Sequence, residues 1–283
     1  MEKRSEDLSE VIMRLKRIEA HLSMVSKRED IRQLAAFEHP KVFPKYRNCH
    51  KGKEIVLLAT GPTLDAYELK LDAIHIGVNR VFYAAKADLD YLFIQDRIPD
   101  AQTDARNYRR GKCKKFYGVH YMMARSISWA EGEKAGAERY YFMDNAQADS
   151  AWYCPPNLSY LPLATFSSVV HPAVQFALWT GAKRIYLVGC DSTLSGYSTN
   201  IGLADPSRNH LCAESVVKGW QLIMDYAERF YPDTEIISIN PVGLKGIFRD
   251  VYTPNYLAAH PEIVDAEVFD GNKKLKRHCR KSR

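Results

Sequence analysis

The sequence predicts an α/β fold, a doubly wound and mostly parallel sheet, preceded by an N-terminal coiled-coil helix. Three observations carry this. Runs of consecutive apolar residues, such as residues 55–59 (IVLLA) and Arg184–Val188 (RIYLV), recur along the chain, and such runs read as strands covered on both faces. Helix-like segments alternate with them, the order that produces parallel sheets. Ahead of them, Leu8, Leu15 and Leu22 recur every seven residues, with Val11, Ile18 and Val25 three places after each.

Taken in order, residues 1–36 read as the heptad helix. An isolated helix of this length is marginal in water, so its apolar stripe needs a partner, either another copy (as a dimer, trimer or tetramer) or the body of the same chain, and self-association through residues 8–25 is expected. Residues 37–52, with Pro40 and Pro44, read as a linker. Strands are expected at 55–59, 73–78, 91–95, 115–119 and 139–143. After them come a helix at 173–179 ending at Gly181, the strand Arg184–Val188, an amphipathic helix at 216–230 and the strand Glu235–Ile239. The folded domain is expected over 53–262, with the weakly periodic, aromatic-rich part, about 97–162, covering the ligand edge. Residues 263–283 read as a basic tail.

Composition narrows the class. At 46% hydrophobic and 26% charged residues, the chain reads as globular and soluble. No run approaches the ~18 apolar residues of a membrane span, and the N-terminal MEKRSEDLSE lacks the apolar core of a signal peptide, so a cytoplasmic location is expected. Cys49, Cys113, Cys154, Cys190, Cys212 and Cys279 form no CxxC pair and read as free thiols, with no metal-ligand spacing. The net charge of +6 is concentrated in residues 273–283, KKLKRHCRKSR, which carry seven cations and no acid. The rest of the chain is nearly neutral. A tail of that kind can attach to anionic lipid head groups, as a peripheral contact at the inner face of the cell membrane, or can simply be a solvated terminus. Nucleic acid is not expected as a partner, because the body lacks a basic, aromatic-interleaved surface.

Ligands in open α/β sheets bind outside the carboxyl ends of the strands. Polar clusters stand at four such ends: Thr60-Gly61-Pro62-Thr63, Asn79-Arg80, Gln95-Asp96-Arg97, and Gly189-Cys190-Asp191-Ser192 followed by Gly196 and Tyr197. At the first, Gly61 would allow close backbone approach to a ligand and Pro62 would stiffen the turn before a possible helix. A fifth cluster, Thr165 to His171, precedes the helix at 173–179. There Ser167, Ser168 and the first-turn N–H groups suit an anion, or simply cap the helix, and His171 could touch ligand or pack. His210, in the polar loop DPSRNHLCAES, is a candidate general base. No GxSxG, HExxH, Walker A or full GxGxxG is present, which argues against a serine hydrolase, zinc protease, P-loop ATPase or standard NAD enzyme.

These pieces, in this order, resemble a known group. LATGPTL resembles the first-strand turn of the bacterial sialyltransferases of glycosyltransferase family 42, and is similar also to that of the Maf-like (DUF115) proteins of surface-glycan loci. IGVNRVFY resembles their second-strand Asn motif, and SSVVHPAVQFALWTGAKRIYLVGCDST their helix–strand segment. The resemblance spans roughly residues 53–250. It implies a Rossmann-like domain with a lid and an inverting, metal-independent transfer. The donor would be a CMP-linked acid sugar (sialic acid, Kdo or a similar ulosonic acid), the acceptor a surface glycan or glycolipid, and no further cofactor would be needed. By matching position, Thr60, Gly61, Pro62, Thr63, Asn79, Arg80, Gln95, Asp96, Gly189 and Asp191 would hold the nucleotide. Ser167, Ser168 and His171 would meet the sugar or phosphate, Tyr197 would donate to the leaving phosphate, and His210 would be the base. The family's arginine, just before the element matched by Ser167-Ser168, is Phe166 here. One DUF115 branch resembles pterin pyrophosphokinases, which would require ATP and magnesium. A non-catalytic coiled-coil scaffold on a degenerate sugar-nucleotide fold is the other alternative.

Overall fold

The computed structural model describes residues 2–67, 72–95, 104–108, 112–119, 132–144, 154–193, 195–201, 213–269, 271 and 276–277. The apolar runs form β1 (Glu54–Leu58), β2 (Ile74–Val78), β3 (Tyr91–Ile94), β4 (Lys114–Val119), β5 (Glu138–Asp144), β6 (Leu163–Thr165), β7 (Arg184–Val188), β8 (Glu235–Ile239) and β9 (Arg249–Val251). They pair into a nine-stranded sheet of order β6-β5-β4-β3-β2-β1-β7-β8-β9. Every pairing in it is parallel. This is a Rossmann-like α/β arrangement. The chain winds outward from β1 through β6, then returns to lay β7 on the free side of β1. The order therefore reverses between β1 and β7, and the crossovers on either side of that point diverge and leave a crevice at the carboxyl edge.

The apolar runs are explained by burial on two faces. Ile55 and Leu57 of β1 enter one core, while Val56 and Leu58 enter the other; Ile185 and Leu187 of β7 divide from Tyr186 and Val188 in the same way. The first core is covered by α2 (Val170–Trp179), every residue of which is buried, and by one face of α3 (Ala213–Phe230), through Trp220, Ile223 and Tyr226. Phe93 and Phe116 stack in it at 4.6 Å, with Phe176 of α2 against both rings. Gln175 fastens the edge strand β6: its amide accepts from Ala164 N at 3.0 Å and donates to Ala164 O at 2.7 Å.

Several expectations change. Residues 37–52 are not a free linker. Val42, Phe43 and Tyr46 are buried in the first core, Trp179 Nε1 donates to Phe43 O at 2.9 Å, and His50 N donates to Thr180 O at 2.9 Å. The apolar residues on either side of Pro44 are what tie the segment down. Within 97–162, the strands expected at 115–119 and 139–143 are present as β4 and β5; residues 97–103, 109–111, 120–131 and 145–153 are outside the described residues. β6 and β9, each of three residues, lie outside the expected strands because so short a run has no readable period. The N-terminal segment is one continuous helix, α1 (Glu2–Glu38), docked through Ile31 and Ala35 against Val119 and Tyr141. In the tail, Lys276–Arg277 (β11) pairs antiparallel with Glu267–Val268 (β10). No described helix is long and apolar enough to cross a membrane.

Candidate functional site

A cleft of about 510 Å3 lies at the carboxyl edge where the strand order reverses. That volume is within the roughly 300–1,000 Å3 range of small-molecule sites. Its walls come from the ends of strands distant in sequence: Thr60 and Gly61 after β1, Asn79 after β2, Gln95 after β3, Asp144 ending β5, and Gly189 to Thr193 after β7. Thr165 ending β6, Ser167 and Ser168 before α2, Tyr197, and Ala213 and Val216 of α3 also line it. Strand ends and helix starts share this edge because each parallel strand must feed its crossover there. The first turns of α2 and α3 therefore both reach the cleft, bringing the positive ends of their dipoles with them.

The turn after β1 is built differently from the sequence expectation. It is a 3-10 turn, Pro62–Ala66, not the start of an α-helix. Its amides are already engaged: Gly61 N donates to Gly189 O at 2.8 Å, and Thr63 N donates to Asp191 Oδ2 at 2.9 Å. Thr63 Oγ1 also donates to Asp191 Oδ1. A Cβ on Gly61 would stand 2.5 Å from Gly189 O and 2.6 Å from Asp191 Oδ2. Glycine is thus required by the approach of the β7 loop itself. Burial pushes the Asp191 carboxyl up, and the two Thr63 hydrogen bonds pull it back. Thr63 is buried behind the wall and Pro62 does not face the cleft.

Two of the left-handed residues that line the cleft also tie its walls together. Asn79, at φ 46°, accepts Gln95 N on its Oδ1 at 3.0 Å, which joins the ends of β2 and β3. Asparagine tolerates that conformation better than most residues. Ser167, at φ 62°, donates its N–H to Asp144 Oδ1 at 3.1 Å and sets its hydroxyl 3.2 Å from that of Ser215 on α3. Thr165 Oγ1 donates to Ser168 O at 2.7 Å and holds the turn into α2. A second clamp fixes the loop carrying Tyr197. Ser198 N donates to Thr60 O at 2.8 Å, and Asp65 accepts from Ser198 Oγ and from Thr199 N and Oγ1, the last two at 3.1 and 2.9 Å. Burial raises the Asp65 carboxyl, but those hydrogen bonds and the charge of Lys86 outweigh it and hold the group below its ordinary value.

Of the sequence-predicted residues, Thr60, Gly61, Asn79, Gln95, Gly189, Asp191, Ser167, Ser168 and Tyr197 line this one cleft. Arg80 does not line it. His171 is fully buried behind it, with Nδ1 accepting Phe166 N at 3.2 Å and its ring edge-on to Phe166 and Trp220. Burial lowers its pKa to about 3, so it is a neutral core residue. Asp96 and His210 lie outside the described residues. The sequence expectation had passed over Asp144 and Ser215. Asp144 follows the apolar run of β5, so the strand-end rule reaches it, whereas Ser215 meets Ser167 only through helix packing. Among the described residues the lining carries no lysine or arginine, so an anion there would be met by hydroxyls, amides and helix N-termini. Comparison of the chain with protein-family models, with curated proteins and with solved structures gives no match. What fold and cleft define is a class: a Rossmann-like α/β protein with a polar crevice at its topological switch point.

Proposed function

We propose that this chain is an inverting, metal-independent glycosyltransferase. It takes sialic acid, Kdo or a similar ulosonic acid from a CMP-sugar and delivers it to a bacterial surface-glycan or glycolipid acceptor. The observation that carries the reading is convergence. The residues that the family resemblance marks for nucleotide, phosphate and leaving group come from separated segments, yet Thr60, Asn79, Gln95, Ser167, Ser168, Asp191 and Tyr197 share one cleft at the switch point.

The chemistry follows from the donor. CMP is a good leaving group, so transfer needs a base on the acceptor and hydrogen bonds to the departing phosphate. His210 takes the proton of the acceptor hydroxyl; the oxygen attacks the anomeric carbon as its bond to phosphate breaks, and CMP departs. Tyr197, held on the loop that Asp65 clamps, donates to that phosphate, with the hydroxyls at the start of α2 beside it. The role of His210 rests on the resemblance alone. The basic tail, residues 273–283, would hold the enzyme at the cytoplasmic face of the membrane, near a lipid-linked acceptor.

A thermal-shift screen of CMP, CDP, UDP, GDP and ATP, with and without magnesium, tests this, because a specific ligand raises stability by mass action. Stabilisation by CMP without metal is expected. Stabilisation by ATP and magnesium alone would favour a pyrophosphokinase, and by no nucleotide a scaffold; either would sink the reading. His210→Ala should abolish transfer and leave CMP binding intact.

A further inference from the structure

We propose that residues 8–25 of α1 form a parallel, four-stranded coiled coil between copies of this chain. The function proposed above leaves this segment unused, and the structure leaves it uncovered. Val11, Leu15, Ile18, Leu22 and Val25 are 48%, 59%, 55%, 62% and 52% exposed. Apolar side chains in an unbroken heptad stripe at that exposure are a seam awaiting a partner.

The partner is not the chain's own body. α1 continues without a break to Glu38 and docks through Ile31 and Ala35. At 100° per residue those two point about 150° around the axis from the stripe. The stripe also stops before the body: the next core positions of the heptad are Glu29 and Arg32, which are exposed and form an ion pair at 3.7 Å. The helix therefore uses one side for docking and presents the opposite side, further along, to another molecule.

The chemistry of the seam selects a second copy and a strand number. Leucine fills the a positions (Leu8, Leu15, Leu22) and β-branched residues fill the d positions (Val11, Ile18, Val25). That arrangement disfavours the two-stranded packing obtained with β-branched a and leucine d, and shifts the preference to larger bundles. Ile12, at the flanking e position and 44% exposed, fits a bundle of four, whose wider interface turns flanking positions inward. In a parallel arrangement Arg14, at g, faces Glu19, at e of the neighbouring copy. An antiparallel one would set Arg14 against His21 and Ile12 against Glu19.

Sedimentation equilibrium on the full chain should give four times the chain mass of 32.4 kDa. Leu15→Glu with Leu22→Glu should give single chains with an unchanged melting temperature, since neither residue touches the body. Arg14→Glu alone should weaken assembly several-fold, and adding Glu19→Arg should restore it. A wild-type mass of one, two or three chains, or a double glutamate variant that still assembles, overturns the four-stranded seam. Absence of rescue by Glu19→Arg overturns the parallel arrangement.

Discussion

Thr63→Val separates the support of the cleft from its lining. Valine keeps the shape of threonine and removes only the hydroxyl, which donates to the buried carboxylate of Asp191. Thr63 N remains as a donor to Asp191 at 2.9 Å. A hydrogen bond to a charged group is worth about 1.5–3 kcal/mol, and more is lost where the remaining partner is buried. At about 2–4 °C per kcal/mol for a domain of this size class, the melting temperature should fall by about 3–12 °C. The loss should also depend on pH. Burial already sets the Asp191 carboxyl above its ordinary value against the pull of Thr63, so removing the hydroxyl raises it further. A carboxyl with a folded pKa above its unfolded one binds its proton more tightly in the fold, so stability declines as pH rises through the folded value. Thr63→Val should therefore cost more in alkaline than in mildly acidic buffer. Thermal melts read the stability, and the CMP-induced shift reads the site. Thr63→Val should keep that shift, whereas Thr60→Val, a wall residue, should shrink it with little change in melting temperature. A Thr63→Val protein that melts like the wild type but no longer responds to CMP would refute the reasoning, because Thr63 would then contact ligand.

Two further outcomes follow from buried and clamped groups. His39 and His171 are held neutral by burial, with pKa values lowered from 6.5 to about 4 and about 3. The unfolded chain takes up these protons first as pH falls, so stability present above pH 6.5 is lost toward pH 4. Each histidine contributes up to about 1.4 kcal/mol per pH unit within its window. Urea unfolding over that range should show the decline, and His171→Phe should reduce its slope; an unchanged slope would contradict the burial argument. Asp65→Ala should release the loop carrying Tyr197, lowering the turnover of the proposed sugar transfer far more than the melting temperature, since Asp65 itself is exposed. Equal loss of both would show that the clamp serves the fold and not the loop.

The strands with strong apolar runs were legible because a doubly covered strand needs little else: Arg184–Val188 and Glu235–Ile239 have the expected limits. The polar ends of β1, β2, β3 and β7 were legible for the same reason, since polar residues directly follow each run. The roles within those ends were not. Gly61 and Thr63 look in sequence like a phosphate turn, and their amides are spent on Gly189 and Asp191, residues brought alongside only by the β1–β7 pairing. His171 looks like a helix-start ligand contact, but α2 is buried all round and carries it inward.

Taken alone, the sequence determined what local period and chemistry can encode: the sheet class, the positions of its main strands along the chain, the heptad stripe and the polar strand ends. Only the tertiary structure decided which of those ends meet. It set β7 beside β1, put the crevice at that reversal, fastened residues 37–52 beneath α2 and turned the heptad stripe away from the body. The physical reason is that periodicity records which side of an element is buried, whereas the partner it is buried against depends on pairing between segments far apart in the chain.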